Sequence, residues 1–368
     1  MHELASTQSE SGDIFVRWKN EQYSRFPFRW LRYECSCSHC GDSTTGIRFL
    51  TLAELPKILQ VESCSLTTDN KLRVVWSPTK HESLYDGNWL WQHRLDPNAR
   101  ETRVHKPTTW GSELETTLPT YQFDDYLENA STRCDVFEAI RDLGLAKLVN
   151  GPDRVGTCEQ VAAPIGPLEE TYFGRIFDLK SSENAESVGG TRHPATLHTD
   201  DSYLNHPTGL KIIHCIRPGD NGTGLTLFVD GFRLGEKLTV TAPKAFEILS
   251  TIPLTFNRRY KKAILVAKAP VFSCDTDGRI TGFRFQDRSM APLSAERKKI
   301  EQVLDAIVEL MALIDEPENQ IKLRLLPGDA VLFDNQRVLH GRTGFSGPRH
   351  LQLCSVSRDA YISEMRVL

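Results

Sequence analysis

The chain has 368 residues, 39% of them hydrophobic and 25% charged, with a formal net charge of −4. That length exceeds one average domain, and the composition suits an ordinary globular protein with a sizeable core. The balance is acidic and no basic run is longer than a few residues, so nucleic-acid binding has no electrostatic support.

No stretch approaches the roughly 18 apolar residues of a membrane span. Residues 1–7 lack the basic and apolar parts of a signal peptide. The nine cysteines are odd in number, three clustered and six scattered, unlike the framework of a secreted disulfide protein. A reducing, cytoplasmic setting is the expectation.

In chain order, residues 1–12 are polar and expected to be disordered. Residues 14–18 are β-branched and aromatic and read as a strand. Residues 26–33 are aromatic but broken by Pro27, which predicts a short edge strand or extended turn. Next come Cys35, Cys37 and Cys40, three thiols inside six residues, and then His81. Three Cys and one His make a closed tetrahedral zinc site of the structural kind. His39 is the alternative fourth ligand, but it lies between two of the thiols and would strain the loop. The bland reading is free cysteines in a turn. A metal would add folding free energy to a small domain with a small core.

Residues 97–120 carry Pro, Thr and charge without a period and read as a linker or extended connection. Residues 132–143 have helical apolar spacing stopped by Gly144. Further helices are expected over 243–249 and 295–313. In the second of these, Ile300, Val303, Leu304, Ile307, Leu310 and Met311 form a core-facing stripe. Strands are expected over 145–149, 174–179, 210–216, 225–229, 264–266, 280–285, 323–326, 331–333 and 351–356. Many short strands with few helices suggest a β-sandwich or jelly roll with helical buttresses. A domain over 13–100 and a second over 101–368 is the resulting division.

The chemistry concentrates in His198-Thr199-Asp200 and the distant His340. On an extended segment His198 and Asp200 point to one side. With His340 they form a two-His-one-carboxylate face, the arrangement of non-haem Fe(II) oxygenases. Arg349 follows in Pro348-Arg349-His350-Leu351 and offers a fork for a carboxylate co-substrate. Arg284, Arg288 or Arg342 could hold that carboxylate instead.

Together these residues resemble the γ-butyrobetaine dioxygenase and trimethyllysine dioxygenase family of TauD-like 2-oxoglutarate oxygenases. The resemblance runs through Leu31-Arg32, the three cysteines, Ser83-Leu84-Tyr85-Asp86-Gly87-Asn88-Trp89-Leu90, Leu197-His198-Thr199-Asp200, Phe228-Val229-Asp230-Gly231-Phe232, Pro327-Gly328-Asp329, Asp334-Asn335, His340-Gly341-Arg342 and Arg349-His350-Leu351. It implies a double-stranded β-helix core and a zinc-bearing N-terminal domain. It also implies Fe(II), 2-oxoglutarate and O₂ as reactants, Thr226 as a hydroxyl donor to the co-substrate, and a homodimer.

In the betaine hydroxylases an aromatic cage holds the trimethylammonium group. By position the matching residues here are Phe173, Phe177, Gly190 and Ser355. That comparison predicts two Phe rings, with Phe345 as a candidate third, facing polar groups at Arg284, Gln286, Asp287 and Arg288. A small amino-acid-like substrate is the expectation, oxidised by hydroxylation, desaturation or ring closure in a biosynthetic pathway. γ-Butyrobetaine or trimethyllysine is the alternative substrate. A zinc hydrolase using the same His/Asp set and a non-catalytic zinc-stapled binding protein are the competing classes.

Overall fold

The computed structural model describes residues 2–180, 191–260 and 262–368. It divides into two compact units, residues 1–106 and 107–368.

The first unit holds two antiparallel three-stranded sheets. One is Leu4–Glu10, Asp13–Trp18 and Tyr23–Pro27; the other is Gln60–Leu66, Lys71–Ser77 and His81–Asp86. Their core gathers Ile14, Val16, Trp18, Phe26, Leu72, Val74 and Trp76. The expected disorder over residues 1–12 is therefore corrected. A turn with positive φ at Ser11 and Gly12 folds Leu4–Glu10 back onto Asp13–Trp18, and the ladder satisfies a polar backbone that composition alone would leave in water. The region after Pro27 is a helix, Phe28–Tyr33, rather than an extended turn. Pro27 stands before its first turn, where a missing N–H costs little.

The second unit is built on two sheets. The six-stranded sheet runs in the spatial order Thr120–Gln122, Leu145–Val149, Ala330–Asp334, Leu210–Arg217, His350–Val356 and Ile176–Lys180. The four-stranded sheet runs Ala195–His198, Val338–Arg342, Thr226–Asp230 and Gln320–Leu323. Strand periodicity sends alternate residues to opposite faces. Ile213, Val331, Phe333 and Leu351 thus meet Phe228, Ile321 and Val338 of the smaller sheet in a shared core. Ile212, Leu332 and Cys354 face the other way, against the helices Ala130–Leu143, Thr157–Ala162 and Arg358–Val367.

The helix Ala130–Leu143 ends where expected, on Gly144 in the left-handed conformation, φ 83°. The strand expected over 323–326 lies earlier, at Gln320–Leu323. Pro327 and Gly328 form the turn beyond it. Residues 97–120 hold two short helices, Pro97–Thr102 and Leu114–Thr117, and the buried Trp110, so they are no free linker. On the long helix Arg297–Asp315, Leu304 and Met311 face outward. The buried stripe is Val303, Ala306, Ile307, Leu310, Leu313 and Ile314. The helix Gly231–Thr241 and the hairpin Leu254–Tyr260 with Ala263–Ala269 complete that side. Asp230 caps the first of these at Phe232 N and also takes a bidentate ion pair from Arg337, at 3.0 and 2.8 Å. None of the described helices is long and apolar enough to cross a membrane.

Candidate active site and thiol cluster

The end of strand Ala195–His198 lies beside strand Val338–Arg342, with His198 and His340 directly opposite in register. Cross-strand neighbours of this kind bring side chains within a few ångström, and the two imidazole centroids are 4.5 Å apart. Asp200 follows the strand and turns its carboxylate between them. One oxygen is 3.3 Å from His198 Nε2 and the other 3.7 Å from His340 Nε2.

His198 Nδ1 lies 2.7 Å from the carbonyl of Thr196. Donation to that carbonyl places the proton on Nδ1 and leaves the Nε2 lone pair for a metal. Burial pushes the His340 imidazole down to about 3, against the opposing pull of Asp200, so it stays neutral. Burial alone would raise the Asp200 carboxyl. Lys211, then His340 and His198, outweigh it and hold the group well below the usual carboxylate range. Two imidazole nitrogens and one carboxylate oxygen lie within 4.8 Å of one another, a donor set that fits Fe(II).

Two residues that sequence reasoning assigned no role hold this arrangement. Lys211 is buried and contacts both Asp200 and Asp201 at 3.2 Å. Its signal was a lysine set among Leu210, Ile212 and Ile213 at the start of a buried strand. Asn335 accepts from Asp200 N at 2.7 Å and donates to the carbonyls of Asp200 and Thr208 at 3.1 and 3.0 Å.

The triad opens into a cavity of about 210 Å³. Arg349 reaches it from strand His350–Val356's leading edge, only 6% exposed. It makes no hydrogen bond or ion pair with the described residues; its guanidinium carbon lies 5.4 Å from the Phe345 ring centre. Burial, and then repulsion from Arg342, lowers its pKa to about 10. Thr226 also lines the cavity, opposite Arg342 in the ladder. Arg342 donates to the carbonyls of Thr191 and His193.

Of the expected substrate residues, Phe173, Phe177, Gln286 and Arg288 line the cavity, as does Ser355; Gly190 lies outside the described residues. The Phe173 and Phe177 rings are 4.9 Å apart. Three expectations need correction. Arg284 is turned away, donating to the carbonyls of Ser202, Leu204 and Asn205, because three loop carbonyls offer a better fork partner than open space. Asp287 is not among the lining residues. Phe345 is not among the lining residues either; its ring lies behind two that are, against the guanidinia of Arg342 and Arg349, at 4.7 and 5.4 Å. A third ring, Tyr203, was missed; its hydroxyl lies 3.2 Å from both Asp201 Oδ1 and the Tyr260 hydroxyl.

In the first unit the sulfurs of Cys35, Cys37 and Cys40 lie 3.4, 3.7 and 3.6 Å from His81 Nε2. A tetrahedral zinc with ordinary Zn–S and Zn–N bonds requires S···N separations of about 3.6 Å. His81 begins its strand opposite Trp76, while His39 is absent from the cluster. The site is compatible with structural zinc.

The taurine catabolism dioxygenase TauD, TfdA family profile matches residues 104–355, and the γ-butyrobetaine hydroxylase-like N-terminal profile matches residues 5–91. A γ-butyrobetaine dioxygenase from Pseudomonas sp. (strain AK-1) is 32% identical, covering 99% of this chain and 96% of that protein. A trimethyllysine dioxygenase from Meyerozyma guilliermondii is 26% identical, over 100% and 96% of the respective chains. Among solved structures, asparagine oxygenase in complex with Fe(II), 3-hydroxyasparagine and succinate superimposes with a TM-score of 0.50 at 17% identity. It covers 62% of this chain and 80% of that one, and it speaks for the fold alone.

Proposed function

Because the chain belongs to the TauD, TfdA dioxygenase family, we propose that it is an Fe(II)/2-oxoglutarate-dependent oxygenase oxidising an aliphatic C–H bond of a small polar substrate. The observation that carries this reading is a buried arginine without a counter-charge, Arg349, in the same cavity as His198, Asp200 and His340. A buried cation lacking a partner is costly unless an anion joins it. A dicarboxylic co-substrate can serve Arg349 with one carboxylate while its other end lies at the metal triad.

His198, Asp200 and His340 would hold the iron, which with 2-oxoglutarate and O₂ supplies the oxidant for an unactivated C–H bond. Arg349 would orient the far carboxylate, with the Thr226 hydroxyl beside it. Phe173, Phe177 and Tyr203 would keep water from the reacting carbon. Family membership sets aside the zinc hydrolase and the non-catalytic scaffold.

Two substrate readings have support. The relatives' names favour γ-butyrobetaine or trimethyllysine, and Tyr203 adds a third ring able to attract a cation. An amino-acid-like substrate is supported by Ser355 at one cage position and by the cationic walls of the cavity. Hydroxylation is the default outcome; desaturation and ring closure use the same abstraction. The proposal includes a homodimer, as the family resemblance implies. A single-chain mass in sedimentation would refute that part.

The central test is anaerobic mixing with Fe(II) and 2-oxoglutarate. A weak visible metal-to-ligand band should form and vanish in His198→Ala. Absence of the band in the unaltered protein overturns the oxygenase reading. A side-by-side 2-oxoglutarate consumption screen of γ-butyrobetaine, trimethyllysine and aliphatic amino acids decides between the substrates.

A further inference from the structure

The cavity contains more positive charge than a dicarboxylic co-substrate uses. Lys211 is neutralised by Asp200 and Asp201, and Arg342 is occupied by two backbone carbonyls. Arg349 answers the co-substrate. Arg258 and Arg288 are left, both lining the cavity.

These two come from neighbouring segments. The backbone bridge between Phe256 and Met290 is antiparallel, and Ala291 N donates to Thr255 O. Two residues along each segment from that bridge stand Arg258 and Arg288, brought by the antiparallel run to the same wall. Arg258 has no hydrogen bond or ion pair with the described residues, only a contact of 5.6 Å with the Tyr260 ring. Arg288 has one long approach, 3.9 Å, to Asp287. Like charges across an antiparallel pair repel, and the guanidinium fork matches carboxylates. Arg258 and Arg288 line the same cavity as His198, Asp200 and His340.

We propose that Arg258 and Arg288 form a substrate-anion subsite that holds a carboxylate of the molecule being oxidised, apart from the co-substrate subsite of Arg349. The inference deepens the oxygenase reading and rests on it. It assigns the polar end of the substrate, expected from the sequence at Arg284, Gln286, Asp287 and Arg288, to Arg288 together with Arg258. The substrate is therefore an aliphatic carboxylate whichever group it bears at the other end.

The experiment uses the full chain, loaded with zinc and Fe(II) and saturated with 2-oxoglutarate under anaerobic conditions. Calorimetric titration compares butyrate with butyramide and glutarate with glutaramide, probes that differ only in charge and hydrogen bonding at the end group. A charge-assisted hydrogen bond lost to a neutral group corresponds to about a tenfold difference or more. Each carboxylate should bind about tenfold tighter than its amide, and Arg258→Gln and Arg288→Gln should each abolish that preference. Equal binding of acid and amide, binding of neither, or an unchanged preference in both variants overturns the subsite. The visible band in the same samples reports on the oxygenase reading separately. If the band is missing while the carboxylate preference is intact, that reading fails and the anion subsite stands.

Discussion

Lys211 places its ammonium 3.2 Å from a carboxylate oxygen of Asp200, inside a strand whose other residues up to Cys215 are buried. One cation thus serves two carboxylates, and the pair settles the charge of a metal-binding residue before any metal arrives. Removing it by Lys211→Met leaves Asp200 and Asp201 without the cation they share, at a cost of about 3–5 kcal/mol.

The pH dependence of that variant has a definite sign. The Asp200 carboxyl is held below its ordinary value in the folded chain, so its stabilisation is present above the unfolded pKa of about 4 and fades as pH falls through the lower folded value. Without Lys211 burial prevails and the folded value rises above the unfolded one, so the sign reverses. The ionised carboxylate then costs stability, and the variant loses stability as pH rises through the unfolded value of about 4. Urea midpoints of iron-free protein between about pH 4 and 8 check this; superimposable curves for the two proteins would rule it out.

Asn335 grips the backbone on both sides of Asp200, through its N–H and its carbonyl. Asn335→Ala should cost about 1–3 kcal/mol, the penalty of buried groups left unpaired. Iron affinity should fall about 10- to 100-fold, as for other residues that orient ligands from behind. Titration with Fe(II), read by the visible band, measures the second effect, and an unchanged affinity contradicts the positioning role.

The thiol cluster predicts one tightly held zinc per chain. Chelators should remove it only with loss of the first unit's fold, and Cys37→Ser should lower stability far more than it alters the chemistry of protein that remains folded. Metal analysis with thermal melting decides the point. Zinc-free protein that melts normally would falsify the structural role.

Arg349→Ala removes the charged partner proposed for the far carboxylate of 2-oxoglutarate and leaves the Thr226 hydroxyl alone beside it. The loss of a buried charge partner, about 3–5 kcal/mol, should raise the apparent 2-oxoglutarate requirement by two orders of magnitude or more. Near-normal affinity would show that another cavity cation, Arg288 or Arg342, holds the co-substrate.

Much of this protein could be read from the chain itself. Strand alternation, the stop at Gly144 and the spacing of His198, Asp200 and the three cysteines are local signals, written in neighbouring residues. The order of motifs also carried the family resemblance. What the sequence could not supply were relationships that depend on registers between distant segments. The residue opposite His198 is His340 because two strands pair in one register; a shift of one residue would turn His340 to the other face. Arg284 looked equivalent to Arg288, yet one forks onto loop carbonyls and the other onto the cavity. Lys211 looked like an interruption of an apolar strand until its neighbours Asp200 and Asp201 were in place. Local pattern determines which side chains a segment offers, because period and turn chemistry act over a few residues. Which of them meet, and what charge they carry together, is decided by burial and pairing across the whole fold.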